Sequence, residues 1–419
     1  MLFFNSNSLK SYYQLVLIVV AAGSIYPLLY LRQNFEISIL ESFDITQAQL
    51  RYCSSMLGFI FMISYVPSGW LADRFSSRKL LASSLLATAL IGMWFSTMPS
   101  YSSLLFIYAS WGIATGLTFW SAHIKLVAIL ANKDQQGKFF GILDGGRGLV
   151  EAILATLAIS LFAFVLTQEA SSTSMALKQV IYLYIGVLIL VAPLVYLFLD
   201  DFEESASDNE TTNTNFKDDL MIVLRHREIW LCAICIICGY QLFYATYSFS
   251  AYLQENFGLS AVAVGTITVA KLWMRPIGGI AAGFIGDWNS PEKVLCILLV
   301  LASLALAVMV FLPTSSASIL MLVVVLLIGL LTYGVRGLYW ATLGGCNVPN
   351  KIKGLAIGMI SMIGYFPEFY LPLISAYLLE LYPGVTGYKI YYLIISIFGV
   401  LGAYAAYLLL NSKAKKILA

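Results

Sequence analysis

Between two apolar segments the chain reads Gly69-Trp-Leu-Ala-Asp73-Arg74-Phe-Ser-Ser-Arg78-Lys79. Each flanking segment is long enough to cross a bilayer, which takes about 20 apolar residues. Basic residues concentrate on the cytoplasmic side of membrane proteins, so the loop is expected there. Gly69 permits close helix packing, and Asp73 is suited to accept hydrogen bonds from backbone amides at the N-terminus of a neighbouring helix. The loop therefore predicts a contact between membrane helices.

The composition also indicates a membrane protein. Of 419 residues, 60% are hydrophobic and 11% are charged, and the mean hydropathy is +0.84. Soluble domains carry about 25% charged residues, so this chain requires a hydrocarbon environment. A net charge of +2 offers no basic face for nucleic acid, and no nucleic-acid partner is expected. Cys232, Cys235 and Cys238 share a rough helical stripe, but residues 230–239 around them include no His or carboxylate, so no metal or cofactor is predicted.

The apolar segments recur along the whole chain and predict an all-α membrane protein with twelve transmembrane helices. The acidic, Ser-, Thr- and Asn-rich residues 200–227 are predicted to be a flexible cytoplasmic linker. It separates an N-terminal six-helix bundle, residues 1–199, from a C-terminal one, residues 228–419. The predicted spans are 12–43, 48–72, 80–98, 104–130, 139–166, 177–199, 229–256, 261–285, 294–312, 319–345, 354–381 and 388–410.

The distribution of basic residues predicts that both termini are cytoplasmic. Fifteen Lys and Arg residues fall in the connections on one side, and only Arg51, Lys178 and Lys389 fall on the other. The apolar run after Lys10 continues through Leu31, which indicates an uncleaved first span. With no transit peptide, the expected location is a bacterial inner membrane. The fifteen are Lys10, Arg74, Arg78, Lys79, Lys133, Lys138, Lys217, Arg225, Arg227, Lys293, Lys351, Lys353, Lys413, Lys415 and Lys416.

The two halves resemble each other in sequence. An offset of 214 residues relates Gly69 to Gly283 and Asp73 to Asp287, and it also aligns residues 41–46 with residues 255–260. Such agreement in order predicts two parallel pseudo-repeats. Transporters built from parallel repeats place their site between the halves. Further matches pair Gly137, Gly141 and Glu151 with Gly354, Gly358 and Glu368, and Trp120 with Trp340.

The loop that contains Gly69, Asp73, Arg74 and Arg78 resembles the loop signature of the major facilitator superfamily, apart from Ser76, where that family usually has Gly. The resemblance implies twelve helices and transport by alternating access, with the loop contact restraining the rocking of the halves. It also implies that Gly283 and Asp287 form a vestigial second copy of the motif.

Two further segments, residues 30–35 and 135–148, are similar to the organophosphate:phosphate antiporters and, over more of the chain, to YihN-type carriers. In the antiporters an Arg of the first helix binds substrate phosphate, and Arg32 matches it. The corresponding Arg of the seventh helix is replaced here by Thr246. The resemblance implies an anion carrier of this general type.

Ionisable residues inside predicted spans are candidates for function because each costs at least about 2.5 kcal/mol on insertion scales. Six cations and four carboxylates leave an excess of two positive charges, which an anionic substrate would compensate. Arg336 lies toward the cytoplasmic end of the tenth span and can alternatively reach the headgroups. The cations are Arg32, Lys125, Arg147, Lys271, Arg275 and Arg336, and the carboxylates are Glu36, Asp144, Glu151 and Glu368.

Spacing along the helices gives some of these charges a second interpretation. Asp144, Arg147 and Glu151 share a helical face and can neutralise one another as a structural ion triad. Lys271 and Arg275 also share a face, but they are like charges, which favours contact with an anion.

The predicted function is a secondary carrier of a small, anionic organic solute, coupled to protons or to a counter-anion. Its partners are the lipid bilayer and the small-molecule substrate. The six cations would bind the substrate together with Trp120, Tyr247 and Trp340. A carboxyl buried away from water can carry a proton, so Asp144, Glu151 and Glu368 are candidates for proton coupling or gating.

Two other functions stay open at this point. In one, the substrate is an amino acid or another zwitterion, whose ammonium group Asp144 and Glu368 would bind. In the other, the chain is a membrane-embedded enzyme or sensor. The sequence has no nucleotide-binding glycine loop and no His-rich cluster, and it predicts no enzyme.

Overall fold

The computed structural model describes residues 6–131, 133–168, 172–201, 216–258, 261–312, 318–346, 348–349 and 352–418, and their regular structure is helical throughout. A π-helical segment, Gly112–Trp120, and short 3-10 turns interrupt the α-helices. The α-helices are α1 Ser6–Leu29, α2 Arg32–Phe43, α3 Gln47–Arg74, α4 Ser77–Phe95, α5 Tyr101–Trp111, α6 Ser121–Leu130, α7 Gln136–Leu166, α8 Thr173–Phe198, α9 Phe216–Arg225, α10 Arg227–Ala245, α11 Phe249–Phe257, α12 Ala261–Asn289, α13 Pro291–Phe311, α14 Ser318–Tyr339, α15 Lys353–Gly364, α16 Pro367–Leu381 and α17 Val385–Leu418.

Eleven of the predicted spans coincide with helical stretches that are long and apolar enough to cross a membrane, among the residues that are described. The remaining one, residues 261–285, falls within α12. The side chains of residues 261–266, 268 and 269 in that helix lie outside the described part.

Local sequence explains where α3 begins. Thr46 begins α3 with a capping box, in which its hydroxyl accepts from the Gln49 amide at 3.2 Å and the Gln49 side chain accepts from the Thr46 amide at 2.8 Å.

Two predictions about local structure are wrong. The first span, predicted as one helix through Phe43, is broken between α1 and α2, and Arg32 is the first residue of α2. Inside α2, Phe35 has non-helical dihedral angles. The linker is also not flexible throughout, because α9 forms within it and buries Val223 and Asp219. The break lies where the apolar run ends and polar residues begin, and hydropathy does not show whether a helix continues across such a point. Hydropathy also does not detect one buried stripe on a helix of mixed polarity. Residues 202–215 of the linker lie outside the described part.

The chain forms two compact units. Each unit takes most of its residues from one half of the sequence and one short segment from the other half. In unit 1 that segment is Pro349–Met362, and in unit 2 it is Ala131–Gly148. The first unit comprises Met1–Leu130, Leu149–Val223 and Pro349–Met362, and the second comprises Ala131–Gly148, Leu224–Val348 and Ile363–Ala419.

Candidate functional site

In unit 1, Asp73 at the end of α3 contacts the start of α15. Its carboxylate accepts hydrogen bonds from the backbone amides of Gly354 at 3.0 Å and Leu355 at 2.9 Å. Amides in the first turn of a helix have no partner inside the helix, and the helix dipole favours a negative charge there. The ammonium of Lys125 lies 2.7 Å from the same carboxylate and also donates to the Ala72 carbonyl at 3.2 Å. The structure therefore places Lys125 in the loop contact.

Gly69 allows this close approach. A Cβ atom at Gly69 would overlap the Gly354 carbonyl, and one at Gly358 would overlap the Tyr65 carbonyl. Both obstacles are backbone atoms, which cannot move aside as a flexible side chain can. The two helices therefore approach closely only because both positions are glycine.

The second copy of the motif makes the equivalent contact in unit 2. The Asp287 carboxylate accepts from the backbone amides of Gly137 and Lys138, each at 2.8 Å, in the first turn of α7. A Cβ atom at Gly283 would overlap the Gly137 carbonyl, and one at Gly141 would lie 2.6 Å from the Gly279 carbonyl oxygen. The sequence repeat is therefore reproduced as a repeated contact between a carboxylate and a helix N-terminus.

The two arginines of the loop each pair with an aspartate of residues 200–227. The guanidinium of Arg74 lies 4.4 Å from the centre of the Trp70 ring and 3.9 Å from Asp219 of α9. Arg78 forms an ion pair with Asp201 at 3.0 Å. Ser76, the residue that departs from the family pattern, caps α4 and donates a hydrogen bond to the same Asp201.

A buried ion cluster in unit 2 joins α7, α12 and α14. Arg275 binds the Asp144 carboxylate through two nitrogens, at 2.9 Å from Nη2 and 3.3 Å from Nε, and Arg336 Nε lies 3.4 Å from the same carboxylate. The exposed fractions are 8% for Asp144, 4% for Arg275 and 7% for Arg336. Asp144 therefore pairs with two other helices and is not confined to the triad within α7 that its spacing allowed. Arg336 is buried in this cluster, so the prediction that it could reach the headgroups is wrong.

Aromatic rings surround the two guanidinium groups. Cζ of Arg336 lies 4.1 Å from the centre of the Phe243 ring and 5.7 Å from that of Tyr240, and Cζ of Arg275 lies 5.8 Å from that of Tyr333. Ring faces attract cations, so this shell lowers the cost of burying the two arginines.

Lys271 is buried in a different way. Its exposed fraction is 7%, and its ammonium donates to the Thr246 hydroxyl at 2.9 Å and to the Thr246 carbonyl at 3.2 Å. The ammonium also lies 5.7 Å from the centre of the Phe249 ring. Among the described residues, no carboxylate lies within 4.0 Å of it. The sequence does not distinguish Lys271 from Arg275, whereas of the two only Arg275 has a carboxylate partner among the residues that the structure describes.

The two repeat-related tryptophans both bond to the eleventh predicted span. Trp120 donates to the Ser361 hydroxyl at 2.8 Å, and Trp340 donates to the Tyr365 hydroxyl at 2.9 Å. The Tyr365 hydroxyl lies 3.1 Å from that of Tyr339. The repeat match selected the tryptophans but not their partners, because neither Ser361 nor Tyr365 carries a charge or belongs to one of the repeat matches.

The remaining predicted site residues occupy different surroundings. Glu368 accepts a hydrogen bond from the Tyr240 hydroxyl at 3.3 Å. Tyr247 is 39% exposed and packs its ring 5.2 Å from Phe243 and 5.0 Å from Tyr244, measured between ring centres. The other predicted residues are partly buried: Arg32 at the start of α2, and Arg147 and Glu151 on α7.

Thr246 is the residue of this region that sequence reasoning did not select. It was visible in the sequence only as the position where the antiporters carry an arginine. Its neighbour in space, Lys271, is 25 residues away in the chain. No local pattern predicts that pairing.

Comparison with known proteins identifies the family. The sequence pattern of the Major Facilitator Superfamily matches residues 14–372. The chain is 32% identical to the inner membrane protein YqcE of Escherichia coli over 391 residues, covering 91% of each chain. It is 29% identical to the inner membrane protein YihN of the same organism over 416 residues, covering 96% of this chain and 97% of YihN.

The fold agrees with a solved transporter of this superfamily. FucP, an Escherichia coli fucose:proton symporter, superposes in its outward conformation with a TM-score of 0.74 at 14% identity, covering 96% of this chain and 99% of FucP. The predicted fold class, twelve membrane helices in the arrangement of this superfamily, is thereby confirmed. The chain belongs to the Major Facilitator Superfamily of membrane transporters.

Proposed function

We propose that this transporter is a secondary active carrier of a small organic anion. One observation carries the proposal: Lys271 is a buried cation on a membrane helix with no carboxylate in reach among the described residues. An uncompensated charge at such a position is costly, and a bound anion would remove that cost. Arg275 and Arg336 are a weaker basis for the proposal because they share Asp144.

The other predicted residues take narrower roles in this proposal. Arg32 and Arg147 are proposed to be substrate-binding residues, and Trp120, Tyr247 and Trp340 are proposed to line the substrate path. Lys125 is assigned to the loop contact instead, because it pairs with Asp73. Both termini are proposed to be cytoplasmic, in a bacterial inner membrane.

The two carboxylate contacts suggest how the carrier changes conformation. Asp73 binds a segment of the second half of the sequence, and Asp287 binds a segment of the first half. We propose that both contacts break and re-form in each transport cycle. Asp144 and Glu151 would act in the same gating step. Glu368, which accepts a hydrogen bond from the Tyr240 hydroxyl, is the candidate proton carrier. Coupling is then to a proton or to a counter-anion.

The geometry gives less support to a zwitterionic substrate. That alternative requires Asp144 to bind an ammonium group, but two guanidinium groups already occupy the Asp144 carboxylate. An ammonium would have to displace a bidentate arginine pair, which is among the stronger interactions of a carboxylate.

Replacing Lys271 tests the proposal. Lys271→Met is expected to reduce uptake at least tenfold while keeping or raising the melting temperature, because it removes a buried charge that has no carboxylate partner in the described part of the chain. The assay is uptake into proteoliposomes of labelled lactate, glucuronate, glycerol 3-phosphate and isethionate, which together present carboxylate, phosphate and sulfonate groups.

Lys10→Met is the matched control. Lys10 is paired with Asp200 at 2.8 Å, but its side chain is 65% exposed, so its removal should leave uptake within about twofold of the unsubstituted protein. Normal uptake by Lys271→Met, or no saturable uptake of any of the four anions by the unsubstituted protein, would count against the proposal.

A further inference from the structure

The seventh predicted span is broken next to Lys271. Helix α10 ends at Ala245, a 3-10 turn covers Thr246–Ser248, and α11 begins at Phe249. A break of this kind leaves backbone carbonyls without their regular helical partners, and inside a membrane the protein itself must satisfy them. The Thr246 carbonyl accepts from the Phe249 amide and from the Lys271 ammonium.

Thr246 accepts two hydrogen bonds from the Lys271 ammonium, one at its carbonyl and one at its hydroxyl. A lysine ammonium has three N–H donors. One is directed to the Thr246 hydroxyl at 2.9 Å and another to the Thr246 carbonyl at 3.2 Å. The lysine stem is confined as well, because a Cβ atom at Gly329 would lie only 2.6 Å from Lys271 Cγ. The ammonium is thus held at one point, and among the described residues one of its donors remains without an acceptor.

We infer that Thr246 is a positioning residue, which orients Lys271 so that its third donor binds one oxygen of the acidic group of the substrate. The inference rests on the proposed function and adds the residue that sets the geometry of the anion contact. The group that the Lys271 ammonium would bind is an oxygen of an anionic group, which is a carboxylate, a phosphate or a sulfonate.

The turn has supports that do not involve the Thr246 side chain. The Ser248 hydroxyl donates to the Ala245 carbonyl at 2.8 Å and lies 2.9 Å from the Tyr392 hydroxyl. The Phe249 and Tyr392 rings pack edge to face, with centres 5.8 Å apart. The Thr246 hydroxyl can therefore be removed without removing what holds the turn.

The test compares Thr246→Val with Thr246→Ser. Valine keeps the shape and the carbonyl but loses the hydroxyl, whereas serine keeps both acceptors. Loss of a hydrogen bond to a charged group predicts a KM about tenfold higher for Thr246→Val with kcat within about twofold, and a KM close to normal for Thr246→Ser. The probes are lactate, glucuronate, glycerol 3-phosphate and isethionate, taken up by the full-length protein in proteoliposomes. Thr156→Val makes the same change in α7, where the hydroxyl donates to the Ala152 carbonyl of its own helix at 2.8 Å, and it is expected to leave KM unchanged.

The possible outcomes separate this inference from the proposed function. If Lys271→Met loses transport while Thr246→Val keeps a normal KM, the positioning role is wrong and anion transport stands. A raised KM that Thr246→Ser does not restore also overturns the positioning role. If Lys271→Met transports normally, the proposed function itself fails. A raised KM for Thr246→Val that Thr246→Ser restores supports the inference.

Discussion

Asp144→Ala should be the most destabilising single substitution among the residues of the candidate site. It leaves Arg275 and Arg336 buried at 4% and 7% exposure without their shared carboxylate. Removing one partner of a buried ion pair costs about 3–5 kcal/mol, because the remaining charge is desolvated and uncompensated. The expected result is a large drop in the melting temperature of the detergent-purified protein and a low yield of folded protein.

Asp200→Ala is the control for this prediction. Asp200 also pairs with a cation, Lys10, but the two side chains are 40% and 65% exposed. Exposed pairs contribute about 0–1 kcal/mol, so the melting temperature should change little. Equal melting temperatures for Asp144→Ala and Asp200→Ala would contradict the cluster as described. Replacing Asp144, Arg275 and Arg336 together by apolar residues should recover much of the lost stability.

Gly69→Ala and Gly283→Ala should each slow transport about tenfold or more. In both positions the added methyl group would overlap a backbone carbonyl, that of Gly354 or Gly137. Overpacking costs about 1–3 kcal/mol, and about 1.4 kcal/mol already changes an equilibrium tenfold. If the two contacts re-form in every cycle, the cost falls on the conformation that contains them. The measurement is the uptake rate in proteoliposomes at matched protein content.

Gly186→Ala provides the matched control. Gly186 lies within a membrane helix, α8, and a Cβ atom there would meet nothing within 4 Å. Alanine also has the higher helix propensity, by about 1 kcal/mol, so this variant should fold and transport normally. Transport by Gly69→Ala and Gly283→Ala at the rate of Gly186→Ala would show that the close approach does not limit the cycle.

The sequence predicted contacts well where a repeated motif carried the information. The spacing of Gly69 and Asp73, repeated at Gly283 and Asp287, predicted a carboxylate beside a helix N-terminus. The structure has such a contact in each copy. What the loop could not specify is which helix start lies there, because Gly354 is 281 residues from Asp73 along the chain.

Charged residues within single helices were harder to interpret. Spacing shows that Lys271 and Arg275 share a face, but it does not show which helix covers that face. Arg275 meets Asp144, 131 residues away, whereas Lys271 meets Thr246 and no described carboxylate. Two side chains with the same charge and the same helical face therefore differ in their electrostatic surroundings. Only tertiary packing distinguishes them.

The π-helical segment Gly112–Trp120 ends at Trp120, one of the predicted site residues. Its wider turns bond each residue to the fifth along the chain, so a return to the α-helical pattern would rotate everything beyond it as a block about the helix axis. Trp120, His123 and Lys125 would turn together, and the indole bond to Ser361 would be lost. Helical winding in the fourth span would then link Trp120, which is proposed to line the substrate path, to Lys125, the cation that pairs with Asp73. Indole fluorescence of a variant that retains Trp120 as its single tryptophan would register this change of winding.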